Sequence, residues 1–262
     1  MTERRRAAES VLVAHAAAEV AARERQIADE LQASLLPERS YNLKHLEVAT
    51  FYRAGAEGSR VGGDWYDVIE LDDGRSGLVI GDVMGHGVRS AAVMGQLRAA
   101  VRAYARLGLP PLPLMESLDA LVWDLFPEEI VTCVYALFDP DTMTANVVNA
   151  GHVPPILLGA DGVATRLRAE PHPPLGVGRK FTADTELQLR PGDGLLLYTD
   201  GLVERRGQDL ETGIGALVDL ASRPGVPLTD LPDALVRGLL TEAPADDVAL
   251  LAARIPPEVD DE

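Results

Sequence analysis

The sequence predicts an α+β fold in four layers, helix–sheet–sheet–helix, with largely antiparallel sheets and a separate N-terminal helix. Three observations lead there. Apolar runs of strand length are joined by turns such as Asp72-Asp73-Gly74 and Pro191-Gly192-Asp193-Gly194, and hairpins build antiparallel sheets. The elements run as strands, two helices, many strands, two helices and one strand, without the alternation that makes a parallel sheet. Each helical pair carries an apolar face, and two stacked sheets with a helical layer outside each cover every such face.

Residues 1–36 contain no Gly or Pro and are rich in Ala, Glu and Arg, which reads as one long helix ending at Pro37. Val13, Val20 and Ile27 recur every seven residues, and Leu31 and Leu35 extend the stripe. A coiled coil with a second copy fits this thin stripe, and so does a helix lying on its own domain. Strands are expected at 46–53, at 64–71 around Trp65 and Tyr66, and at 77–83. A helix follows from Val88 to Leu107, stopped by Gly108 and Pro110, then a second over 114–126. Strands resume at 130–138, 143–149, 156–158, 163–167, 181–189 and 195–198. Helices at 210–221 and 231–241 and a strand at 247–255 close the chain. The division expected is a helical segment 1–36, a domain 37–256 and an acidic tail 257–262.

The formal net charge of −17 argues against nucleic acid or an anionic membrane as partner, since both need a basic face. Cys133 is the only cysteine, so an internal disulfide is impossible and the residue reads as core packing. Arg4, Arg5 and Arg6 precede a short apolar run, but Glu9, His15 and Glu19 break it, which speaks against an export signal. No stretch is apolar enough to span a bilayer. A cytoplasmic setting is expected.

Chemistry concentrates in acidic strand tips. Asp64 follows Gly62-Gly63 and opens a strand. Asp82 closes the run Gly77 to Ile80 and precedes Gly85-His86-Gly87. Asp200 ends Leu195 to Tyr198, and Asp246-Asp247 opens the last strand. Any one of these could simply cap a turn. Strand ends of a sandwich gather at one rim, however, and carboxylates meeting there repel unless neutralised. Hard divalent cations bound through oxygen are the natural remedy, and the scarcity of Cys and His excludes a zinc site. Two Mn²⁺ or Mg²⁺ ions about 4 Å apart can generate hydroxide from a bridging water and hold a phosphoryl group for in-line attack. Asp82 is best placed to bridge them, and the Val83 carbonyl can add an oxygen. The helix that follows points its free amides at the same place, which suits an anion.

These stretches carry a family resemblance. Gly62-Gly63-Asp64-Trp65-Tyr66-Asp67, Ile80 to Gly87, Asn149-Ala150-Gly151-His152 with Pro154-Pro155, Pro174-Leu175-Gly176, Tyr198-Thr199-Asp200-Gly201 and Asp246-Asp247-Val248-Ala249-Leu250 occur in one order. Together they resemble the SpoIIE/RsbU-like bacterial branch of the PPM metal-dependent serine/threonine phosphatases, over residues 26–255. The resemblance implies the αββα PPM fold and a centre of two Mn²⁺ or Mg²⁺ ions. Asp64, Asp82 and the Val83 carbonyl match one metal side; Asp82, Asp200 and Asp246 match the other. Asp246 matches the terminal ligand better than its neighbour Asp247, and both are kept as candidates. The implied substrate is a phosphoserine or phosphothreonine on an anti-sigma factor antagonist of the STAS type, in a sigma-factor regulatory network. The helix over residues 1–36 is a candidate regulatory or dimerisation element.

His86, between two glycines, is a candidate to protonate the leaving seryl oxygen, or else a rim residue. His152 reads as structural. Arg53 and Arg60, in and beside the loop before Gly62, are placed to meet a phosphate, but a solvated role is the preferred reading for each. Two classes remain open: an active phosphoprotein phosphatase, and a catalytically weak binding module on the same fold.

Overall fold

The computed structural model describes residues 41, 43–55, 62–85, 87–178, 180–205, 207–242 and 244–257, together with His15, Glu19 and Arg23. Those three are helical and exposed. The rest of the N-terminal segment, with its expected coiled-coil stripe, lies outside the described residues, as do Arg60, His86 and residues 258–262 of the acidic tail.

Among the described residues, ten strands form two antiparallel five-stranded sheets. One has the order β1 (Glu47–Arg53), β10 (Val248–Arg254), β9 (Gly194–Tyr198), β6 (Ile156–Leu158), β7 (Ala164–Arg166). The other has the order β2 (Trp65–Glu70), β3 (Ser76–Val83), β4 (Val131–Asp139), β5 (Thr144–Ala150), β8 (Thr185–Gln188). Helices α1 (Val88–Arg106) and α2 (Pro111–Leu125) cover the second sheet; α3 (Leu210–Ala221) and α4 (Leu231–Leu239) cover the first. The four-layer αββα sandwich expected from the sequence is the fold observed.

Period-two alternation builds the layers. In β3, Val79 and Val83 pack toward α1 and α2, while Leu78 and Ile80 face the opposite sheet. In β9, Leu195 and Leu197 face inward between the sheets, while Leu196 and Tyr198 pack under α3 and α4. Strands buried on both faces need such continuous apolar runs. Helix α1 buries Val93, Met94, Leu97, Val101 and Ala105 at helical spacing and ends where Gly108 takes φ 76.

Three elements differ from their expected bounds by two residues or more at an end. Helix α2 starts at Pro111, earlier than expected, because proline lacks the amide that the first turn leaves unpaired anyway. The strand expected at 181–189 shortens to Thr185–Gln188. Phe181 instead turns into the core beneath α1 and α2, and the Thr182 amide donates to His172 Nε2 at 3.1 Å. Helix α4 stops at Leu239 rather than running to 241.

One buried ion cluster fastens α1 to its sheet. Asp67 sits between Trp65 and Ile69 on the helix-facing side of β2, with its side chain wholly buried. Arg102 clasps it with two bonds, Nη2 to Oδ1 at 2.6 Å and Nε to Oδ2 at 3.0 Å, and Arg98 Nε adds a third at 3.1 Å. The arginines stand one helical turn apart and so share a face. Neither was singled out from the sequence, although a carboxylate at a core-facing strand position requires a cation.

Candidate metal centre

Strand parity explains why the acidic tips converge. Asp64 and Asp82 share the parity of Tyr66, Val68, Leu78 and Ile80, all on the face between the sheets. The β2–β3 register, Trp65 opposite Gly81, sets Asp64 opposite Asp82. Asp247 and Thr199 share the parity of the inward-facing Ala249 and Leu197 on the other sheet. Both sheets therefore deliver polar side chains into one end of the intersheet space.

Burial and mutual repulsion act together on these carboxyls. Burial first, then repulsion from Asp200 and Asp246, pushes the Asp82 carboxyl up to about 7, although a hydrogen bond with Asp64 works against the shift. Burial and Asp246 raise Asp200 to about 6, with Glu204 adding to the repulsion. Asp64 lies well above the ordinary carboxylate range through burial and the charges of Asp82 and Asp247, opposed by a hydrogen bond from Thr199. Asp64 is 3% exposed, and its Oδ2 is buried without a hydrogen-bond partner.

Asp247 plays a different part from Asp246. Its Oδ1 accepts the Gly55 amide at 2.9 Å, and the amides of Gly63 and Asp64 also donate to it. Its side chain ties the Gly55, Gly63 and Asp64 backbone to the start of β10. Asp246 is exposed, and its Oδ1 accepts the Asp247 amide at 2.8 Å.

Gly62 and Gly63 are required by close approach. A Cβ at Gly62 would fall on the Asp247 carboxylate, and one at Gly63 would fall on the Val83 carbonyl oxygen. That oxygen belongs to a strand backbone and cannot rotate away. Gly63→Ala should cost about 1–3 kcal/mol of stability. A thermal midpoint equal to wild type would show that the Gly62-Gly63 backbone can retreat.

Among the described residues, no three His, Cys, Asp or Glu side chains form a group that could hold a metal ion as they stand. The donor chemistry nevertheless fits a hard divalent cation. It is all oxygen, one carboxylate oxygen is buried and unpartnered, and the shared burial raises charges that only protons or cations relieve. Cys133 is buried, with its thiol pushed up by burial, and stands apart from this chemistry.

Comparison with known proteins agrees with this layout. Residues 72–256 match the protein family described as Stage II sporulation protein E (SpoIIE). The phosphoserine phosphatase RsbP of Bacillus subtilis (strain 168) is 30% identical over 224 residues, covering 83% of this chain and 53% of RsbP. The solved RsbU and RsbW domains of Rv1364c from Mycobacterium tuberculosis are 35% identical with a TM-score of 0.74, over 83% of this chain and 62% of that one. RsbX, solved in complex with magnesium, shares the fold at 14% identity and a TM-score of 0.65, over 82% of this chain and 98% of that one. The chain thus spans about half the length of RsbP. With a match over well beyond half its residues, an αββα sandwich and acidic strand tips gathered between the sheets, the chain belongs to the SpoIIE family.

Proposed function

We propose that this chain is a metal-dependent protein serine/threonine phosphatase, acting on a phosphorylated anti-sigma factor antagonist of the STAS type. The observation that carries the reading is the buried, unpartnered Asp64 Oδ2 beside Asp82, in a cluster whose repulsion calls for cations. The likeness to RsbP, a named phosphoserine phosphatase, supports the reaction class.

In this reading Asp64, Asp82 and the Val83 carbonyl hold one Mn²⁺ or Mg²⁺ ion, and Asp82, Asp200 and Asp246 hold a second. When bound, such ions polarise phosphoryl oxygens and lower the pKa of a water molecule. Asp82 would be common to both sets. Asp247, already engaged with backbone amides, holds the loop that carries Asp64 rather than serving as a ligand. Helix α1 has no side-chain cap, so the free amides of its first turn can receive the phosphoryl group. His86 is assigned the proton for the leaving seryl oxygen. Residues 1–36 are assigned dimerisation or regulation, and their removal should change oligomeric state or specific activity.

No helix among the described residues is long and apolar enough to cross a membrane. The substrate assignment is tested by incubating the protein with phosphorylated antagonist proteins of the same organism and Mn²⁺, and scoring loss of phosphate. Retention of phosphate on all of them would overturn it.

Protons and cations compete for the same oxygens. With Asp82 near 7 and Asp200 near 6 in the metal-free protein, Mn²⁺ affinity should fall as pH drops from 8 to 5.5, about tenfold per pH unit for each proton displaced. Calorimetry showing a flat Kd across that range would mean that the carboxylates are not the ligands.

A further inference from the structure

The Asn149-Ala150-Gly151-His152 stretch spans the end of β5 and the turn after it, and contributes no carboxylate. The His152 side chain is nine-tenths buried, and both ring nitrogens are engaged. Nε2 lies 3.0 Å from the Tyr198 carbonyl oxygen. A carbonyl can only accept, so Nε2 carries the hydrogen. In the neutral ring Nδ1 is then an acceptor, and Thr132 Oγ1 donates to it at 2.7 Å. Burial lowers the imidazole to about 4, which keeps the ring neutral and this tautomer in place.

The two partners belong to different sheets. Thr132 is in β4, directly opposite Asp82 in the β3–β4 register, and shares the intersheet parity of Val134 and Ala136. Tyr198 ends β9, two residues before Asp200. One rigid ring therefore spans from the strand neighbour of Asp82 to the strand that delivers Asp200. Its own backbone is clamped as well. Asn149 Oδ1 accepts the His152 amide at 2.8 Å, and Asn149 Nδ2 donates to the His152 carbonyl at 3.0 Å. Gly151 takes φ 67 to close that loop.

We propose that His152 is a positioning residue for the metal centre: a crossbar between the sheets that sets the separation of Asp82 from Asp200. This rests on the reading of those two carboxylates as ligands. Both ring nitrogens are taken up by Thr132 and the Tyr198 carbonyl, so the ring acts through Thr132 and through the β9 backbone. Partners one step removed from metal ligands commonly govern affinity by fixing ligand orientation.

The test uses the full chain and Mn²⁺ alone as probe, with calorimetry for affinity and electron paramagnetic resonance for the environment of the ions. His152→Ala removes the crossbar, and Thr132→Val removes only the hydroxyl donor at nearly equal volume. His152→Ala should weaken Mn²⁺ binding about 10-fold or more and alter the resonance spectrum at matched loading. Thr132→Val should move both readouts the same way by a smaller factor, with its thermal midpoint in the metal-free state close to wild type. Should His152→Ala fail to fold, Thr132→Val carries the test. Wild-type affinity and spectrum in a folded variant would overturn the crossbar while leaving the centre standing. No Mn²⁺ binding by the wild type would overturn the centre itself, and the crossbar with it.

Discussion

Asp82→Asn is expected to lower Mn²⁺-dependent phosphate release about 100- to 1000-fold while making the metal-free protein more stable at pH 8. The two effects have one cause. Asp82 sits where burial and the charges of Asp200 and Asp246 oppose ionisation, which pushes its carboxyl from 3.8 to about 7. The folded state thus holds a proton between those values that the unfolded state has lost. Its contribution to stability is fully present below 3.8 and disappears as pH rises through 7. Metal-free wild type should therefore gain stability as pH falls from 8 toward 5, and the asparagine variant should show less of that slope. At pH 8 the substitution removes a buried, repelled charge and should raise stability by about 1–3 kcal/mol. Denaturant melts of both proteins in chelator at pH 8 and pH 5, run beside a phosphate-release assay, check the pair. Equal turnover in both proteins would favour a binding module on the same fold. A variant less stable than wild type at pH 8 would mean that Asp82 is not crowded by its neighbours.

Asp67→Ala should destabilise the protein by about 3–5 kcal/mol, the usual cost of stripping one partner from a buried ion cluster. The wholly buried carboxylate takes three bonds from Arg98 and Arg102. The Arg102 side chain is 39% exposed, so water screens part of the stranded charge and the lower end of that range is expected. Because the cluster fixes α1 on β2, turnover should fall more than stability alone explains, through misplacement of the first turn of α1. Equilibrium unfolding in urea gives the first quantity, and turnover at a temperature where both proteins are folded gives the second. A loss of under about 1 kcal/mol would show that the arginines find water as good a partner as Asp67.

The legible parts of the sequence were those with a short-range physical cause. Period-two and helical patterns placed β3, β9, α1 and α3 within a residue or two of where they lie, since alternation alone decides which side chains face a core. Hairpin turns announced antiparallel pairing, and the absence of βαβ order left two sheets with a helical layer on each. Parity also explains why Asp64 and Asp82, on adjacent strands, had to share a face. Less legible were the ends where a long-range contact won. Phe181 left its expected strand for the core, a choice that no local pattern encodes.

What the sequence determined by itself is the architecture and the presence of acidic strand tips in one family order, because both follow from spacing along the chain. Only the tertiary structure decided how those tips divide their work. It turned Asp247 toward the amides of Gly55, Gly63 and Asp64, left an Asp64 oxygen buried and unpaired, set Asp67 against two arginines, and laid His152 between Thr132 and Tyr198. The reason is physical: a carboxylate's or an imidazole's role depends on which donors, charges and solvent surround it, and those neighbours come from strands and helices far apart in the chain.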